Sequence, residues 1–379
     1  MLMLLGSPCG LGDEAAEDAG SAALGALSAA ASASLPQDVA VEPWVTPGGV
    51  GLLVQAPALA AAEPPAAHVG RIARALGEAF AMGQDDPDSF ARARRAILAS
   101  LGNDANRYLE AFARAAVPNH PSWIAPLGGM ERALGLEDRR VRARWRALQR
   151  SALRFALLAP ADGGLDAVAG REIDRWLLEQ ARGGACPERS AAAAPLTGTH
   201  RVLAAGPGRV LVGARVPPAG EPDHELARLT AAALGGKGGL LDRALLAPGL
   251  ASACSARVLG GIWAAALLVD AQPLPGKLEP ARRALVELVA TLAQDGIPDA
   301  PARRAERLWA EQWRAEHSDP RRRVQDLWRG VPSRPPGAPD RRRWQAFVAE
   351  ALAPSKLIVV VPAGEAEPAP ADEAGPRRE

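Results

Sequence analysis

Arg74-Ala75-Leu76-Gly77-Glu78 is written a second time, with one substitution, as Arg283-Ala284-Leu285-Val286-Glu287, an offset of 209 (283 − 74). The match continues on both sides. Gln84-Asp85 answers Gln294-Asp295, Pro87-Asp88 answers Pro298-Asp299, and Ala93-Arg94-Arg95-Ala96 answers Ala302-Arg303-Arg304-Ala305. Upstream, Gly48-Gly49-Val50 through Val54-Gln55-Ala56-Pro57 parallels Gly260-Gly261-Ile262 through Val269-Asp270-Ala271-Gln272-Pro273. Alanine and arginine are abundant here, so one Ala-Arg-Arg-Ala match carries little weight. Four ordered matches make residues 48–96 and 260–305 two copies of one αβ unit.

Each copy reads as a strand, a long helix, further helical stretches and a closing strand. Val50–Ala56 and Trp263–Val269 are apolar runs bounded by glycine pairs and proline, the pattern of buried strands. His68–Phe80 and Glu279–Leu292 carry apolar residues three and four apart, as a helix packed on a core requires. Phe90–Ala116 and Pro301–Trp328 are predicted as further helical stretches. Both copies then close alike, with a tryptophan-bearing helix (Arg139–Trp145, Arg341–Trp344) feeding a strand that ends at Pro160 or Pro362. The fold class expected is α+β, two homologous αβ domains related by duplication, each a mostly antiparallel sheet packed against helices. Residues 1–182 form the first domain, 183–199 a Gly/Ala/Pro-rich linker, 200–365 the second domain, and 366–379 a disordered Pro/Glu/Ala-rich tail.

At 379 residues, two domains of ordinary size can each bury a core. Hydrophobic residues make up 48% and the formal net charge is +1, so composition points neither to nucleic acid nor to an acidic partner. The single tyrosine, Tyr108, and the tryptophans do not alternate with basic residues as a nucleic-acid platform would. Cys9, Cys186 and Cys254 are odd in number and far apart, so neither a metal nor a disulfide framework is expected from them. Met1-Leu2-Met3-Leu4-Leu5 has no basic flank and Gly6-Ser7-Pro8-Cys9 is a poor lipobox, so no signal peptide is expected. No membrane span is expected either, because the Ala/Ser run of residues 19–35 is too weakly apolar. The compartment stays open between periplasm and cytoplasm.

Three ordered stretches resemble the insulinase/pitrilysin-type zinc peptidases, the group of the mitochondrial processing peptidase. They are Pro118-Asn119-His120-Pro121 through Pro126-Leu127-Gly128 and Glu137-Asp138; Pro222-Asp223-His224 through Ala233-Leu234-Gly235-Gly236; and Gly249-Leu250-Ala251. The resemblance implies one half of a clamshell whose two halves close around an unfolded peptide. It also implies a helix bearing H-x-x-E-H, two histidines holding zinc around a glutamate base, with a distal acidic ligand.

Gly12-Asp13-Glu14 and Gly20-Ser21-Ala22 are similar to the approach to that motif, which then falls on Ala23-Leu24-Gly25-Ala26-Leu27. The histidine positions are Ala23 and Leu27, the glutamate position is Ala26, and the distal ligand position is near Ser100. None supplies a zinc donor, so neither a metal, a cofactor nor a catalytic residue is expected. Of the five histidines, His68, His120, His200, His224 and His317, no two are three or four apart. Trp313-Arg314-Ala315-Glu316-His317 has tryptophan where the first ligand belongs and reads more simply as part of a charged helix. Gly236-Lys237-Gly238 lacks the spacing of a phosphate loop, and no G-x-S-x-G elbow is present.

The segment Gly235-Gly236-Lys237-Gly238-Gly239 resembles, in shorter form, the glycine-rich loop of the processing peptidase's non-catalytic subunit, where substrate is admitted. A plain helix C-cap and turn is the competing reading. The substrate-holding arginine and tyrosine of active relatives fall on Leu245 and Ser252, with Arg243 two residues away as a substitute. The function expected is a catalytically inactive subunit that pairs with an active zinc-peptidase subunit, or with itself, to enclose an unfolded peptide. A structural subunit of a larger complex and a hydrolase with an unrecognised site are the alternatives.

Overall fold

The computed structural model describes residues 1–10, 13–14, 20–33, 39–46, 48–56, 64–82, 87–101, 104–118, 134–159, 165–180, 200–204, 208–261, 264–330 and 339–363. The expected linker at 183–199, the tail at 366–379 and His120 lie outside these residues. Two sheets organise the chain. The first contains β1 (Leu2–Ser7), β2 (Ala40–Thr46), β3 (Gly49–Gln55) and β4 (Arg154–Leu158) in the order β2-β3-β1-β4, every neighbour antiparallel. The second contains β5 (His200–Ala204), β6 (Val210–Val216), β7 (Ala251–Gly260), β8 (Ala265–Pro273) and β9 (Ile358–Pro362) in the order β5-β9-β6-β8-β7. Apart from β5, which runs parallel to β9, its pairings are antiparallel. The order β7-β8-β6-β9 repeats β2-β3-β1-β4, so the duplication read from the repeat is a duplication of topology.

The first unit's helices, in chain order, are α1 (Ser21–Ser32), α2 (Pro65–Met82), α3 (Pro87–Leu101), α4 (Asp104–Ala116), α5 (Asp138–Gln149) and α6 (Leu165–Gln180). The second's are α7 (His224–Leu234), α8 (Leu278–Asp295), α9 (Asp299–Ser318), α10 (Pro320–Arg329) and α11 (Arg341–Ala351). The stretches predicted as Phe90–Ala116 and Pro301–Trp328 are each two helices. In the second, Asp319 caps α10 by accepting the Arg321 N–H at 2.9 Å, and Pro320 fits the first helical turn, where its missing N–H costs nothing.

These breaks redirect the chain. The helix after each break leaves its own unit and packs on the other unit's sheet. From α4, Tyr108, Phe112, Ala113 and Ala116 join Leu211, Leu268, Ile358 and Val360 of the second sheet. From α10, Val324 and Trp328 join Leu2, Leu4, Trp44, Leu53 and Ala156 of the first. Trp328 stands edge-on to Trp44 with ring centroids 4.6 Å apart, and its indole N–H donates to the Arg154 carbonyl at 2.9 Å. Arg321 adds a bidentate pair with Glu42, both contacts 2.9 Å. Each sheet is therefore covered on one face by its own helices and on the other by a helix borrowed from its twin.

Helix starts place α8 at an offset of 213 from α2 (278 − 65), one turn from the 209 that the identities suggest. Both registers lay buried positions on buried positions. Ile72 and Leu76 map onto Leu285 and Val289 in one, and onto Ala281 and Leu285 in the other. A shift of one turn keeps the same helix face inward, so periodicity alone does not separate them.

Candidate functional site

α1 carries the positions where the resemblance places zinc chemistry. Its sequence, Ser-Ala-Ala-Leu-Gly-Ala-Leu-Ser-Ala-Ala-Ala-Ser, is nearly free of bulk, and its neighbours come correspondingly close. At Gly25 a β-carbon would stand 2.8 Å from the Trp145 ring of α5, so only glycine admits that contact. Ala23 and Ala26 are fully buried in the core that includes Met3, Leu5 and Leu52, and Leu27 packs at its margin. Ser28 of α1 and Ser89 of α3 share a hydrogen bond of 2.5 Å between hydroxyls. Ser100 lies in α3, and its side chain is outside the described ones.

The start of α1 is held by Glu14. Its carboxyl accepts the Gly20 N–H (2.7 Å), the Ser21 hydroxyl (2.8 Å) and the Ala22 N–H (2.6 Å). These include backbone donors that a helix N-terminus leaves unpaired. Burial pushes the Glu14 pKa up to about 7, against the opposing pull of the three donors and of Arg144. This role was not read from the sequence, where Glu14 served only to align the motif.

Methyl and isobutyl groups offer zinc no lone pair, so the residues at the motif positions do not fit the metal. Among the described residues, no group of three or more His, Cys, Asp and Glu side chains is placed to hold a metal ion. His317 donates its Nδ1–H to the Trp313 carbonyl (2.8 Å) and stacks on the Trp313 ring at 4.0 Å, while Glu316 pairs with Arg228 of α7 at 2.7 Å. His224 sits at the start of α7 with Nδ1 2.9 Å from the Pro217 carbonyl. Both follow the simpler reading, that of helix and cap residues.

The glycine-rich segment is on the other sheet. Gly235–Gly239 forms the turn after α7, and Gly236 and Gly238 have φ of 75°, a conformation that side chains with a β-carbon rarely adopt. Arg304 of α9 grips the turn: its guanidinium donates to the carbonyls of Ala232 (3.1 Å), Gly235 (3.1 Å) and Lys237 (2.7 Å). Asp242 accepts the Gly238 N–H at 2.7 Å. Gly236 and Lys237 stay exposed at the crest, and Arg243 is exposed on the π-helical turn Asp242–Leu246 that follows. Leu245, at the position of the substrate-holding arginine, is fully buried. The Asp242 contact is local enough to suggest itself from sequence, whereas the Arg304 clamp reaches back 67 to 72 residues and leaves no sequence signal.

No known family description matches the sequence, and no curated protein does. Solved structures do. A peptidase M16 inactive domain from Pseudomonas fluorescens superposes with a TM-score of 0.73 at 14% identity, over 97% of this chain and 93% of that one. A chain of complex III2 from Candida albicans gives 0.70 at 11% identity, over 95% and 90%. Pitrilysin gives 0.66 at 14% identity, over 95% of this chain but 42% of its own. The fold is that of the insulinase/pitrilysin-type (M16) peptidases. The chain has that fold without the H-x-x-E-H motif. Among the described residues, no helix is long and apolar enough to cross a membrane.

Proposed function

We propose that this chain is a non-catalytic half of a two-part peptidase chamber and works beside a separate zinc-bearing subunit. The observation that carries this reading is α1. It is packed into the core of the first unit, but Ala23, Ala26 and Leu27 occupy the positions to which the resemblance assigns zinc and its base. In this reading the partner supplies the metal, the water and the glutamate base, and this chain supplies the opposing wall. One wall alone cannot enclose a peptide, and an inert one still excludes bulk solvent and folded proteins. Pitrilysin's own length, more than twice the part this chain covers, leaves room for a second unit of the same size. The exposed crest Gly236–Lys237 and Arg243 are the residues proposed to meet peptide, held in place by Arg304.

Co-expression with the product of the adjacent gene, followed by a peptidase assay with and without this chain, tests the reading. The expected result is activity that needs both subunits. Undiminished activity when this chain is left out overturns it.

The second reading is a scaffold subunit with no proteolytic role, favoured by the likeness to a chain of complex III2. It predicts co-purification with a large assembly that shows no peptidase activity.

A further inference from the structure

Cys9 is disulfide-bonded, while Cys254 is a free thiol. The spacing of the cysteines does not predict such a bond, so the structure corrects the expectation that they make none. Only three cysteines are encoded, and the third is Cys186. It belongs to the Gly/Ala/Pro-rich stretch 183–199, outside the described residues.

The turn that carries Cys9 is firmly held. Cys9 follows β1 on the way to α1 and is 2% exposed, within the core that also buries α1. Its N–H donates to the Ser7 hydroxyl at 3.0 Å, and that hydroxyl shares a 2.6 Å hydrogen bond with Ser151, three residues before β4. One residue on, the Gly10 N–H donates to the Asp13 carboxylate at 2.8 Å, next to the Glu14 that holds the start of α1. The backbone is therefore fixed on both sides of the sulfur.

A bond from Cys9 to Cys186 closes a ring of 178 residues (186 − 9 + 1) that contains β2–β4 and α1–α6. Joining two points so far apart removes freedom from the unfolded chain, which in the chain-entropy account is how a disulfide stabilises the folded form. The burial of Cys9 also limits attack by reductants, because thiol–disulfide exchange needs access to the sulfur. Cys254 is a poor attacking group. Burial and the carboxylates of Asp242 and Asp270 push its thiol above the ordinary range, so little of it is the thiolate that exchange requires.

We infer that Cys9 and Cys186 form a structural disulfide that clasps the first unit end to end, and that the chain therefore works in an oxidising compartment. Forming the bond turns two thiols into one disulfide with loss of two protons and two electrons. A disulfide-bearing oxidoreductase of that compartment takes these up by thiol–disulfide exchange and leaves as a dithiol. Bonds of this kind persist in the periplasm and are rare in a reducing cytosol, so of the two compartments the sequence leaves open this selects the periplasm. The inference holds for a chamber wall and for a scaffold alike.

The test reads the redox state of the full chain as cells hold it. Cells producing the chain from its own gene are quenched in acid, and free thiols are blocked with N-ethylmaleimide under denaturing conditions. The digest is then read by mass spectrometry without reduction. The expected result is maleimide on Cys254 alone and a linked pair of peptides carrying Cys9 and Cys186. In the purified chain, reductant should lower the thermal midpoint by about 5 °C or more, and Cys186→Ser should start at the lower midpoint and ignore reductant. Maleimide on both Cys9 and Cys186 in the quenched cells overturns the compartment. Cys9 linked to Cys254 or to a second chain overturns the pairing, and equal midpoints with and without reductant overturn the structural role.

Discussion

Replacing Trp328 with alanine removes a side chain encoded in the second half of the chain from the core of the first sheet. Trp328 is 4% exposed and stands against Trp44 at 4.6 Å, with the Arg154 guanidinium 5.7 Å from its ring. Truncating a buried tryptophan costs about 3–5 kcal/mol, and leaving the Arg154 carbonyl unpaired adds about 1 kcal/mol more. Domains of this kind are stable by roughly 5–15 kcal/mol, so the loss is a large fraction of the total. If the exchanged helices fuse the two units, that loss falls on the whole molecule. Denaturation followed by amide exchange should then show W328A unfolding in a single transition at lower denaturant, with protection reduced in β1 and β4 as well as in α10. The reasoning is refuted if the first sheet keeps its protection while only the second unit weakens, because α10 would then be an ornament on its neighbour.

Three further outcomes follow from named contacts. Arg304→Ala should release the glycine turn and cost about 1–3 kcal/mol, since three carbonyls lose a charged donor at once; thermal unfolding measures it. Glu14 has its folded pKa raised to about 7 from 4.5, so its contribution is fully present below the lower value. It is lost as pH rises through about 7, a change of about 3 kcal/mol in order of magnitude, and Glu14→Gln should remove that slope from a denaturation series run from pH 4 to 8. Ala26→Glu should destabilise by about 3 kcal/mol or more by burying a carboxylate among Met3, Leu5 and Leu52 without a partner, which the same denaturation assay reads.

What the sequence disclosed is what the repeat and the apolar runs encode: the duplication, the long helices α2 and α8, and the closing strands β4 and β9. β1, β2, β5, β6 and β7 were not legible. The edge strand β2 carries Glu42 and Pro43, and β7 is built of small residues such as Ser252, Ala253 and Ser255, so neither shows the aliphatic run that marks a buried strand. The exchange of α4 and α10 was hidden as well. Their amphipathic faces state that they pack on something, and periodicity does not say on which sheet. At the candidate site, the alanines of α1 could be read directly, because an absent imidazole is visible in any sequence. The clamp on the glycine turn could not, since Arg304 is one arginine among many on α9 until the fold brings it beneath Gly235.

Metal analysis of the purified chain after dialysis against excess zinc tests most directly the idea that a helix with Ala23, Ala26 and Leu27 at the motif positions has no means of gripping the ion. The account predicts that the chain comes through without zinc. Retention of about one ion per chain, with affinity in the range of a protein-ligated site, contradicts it.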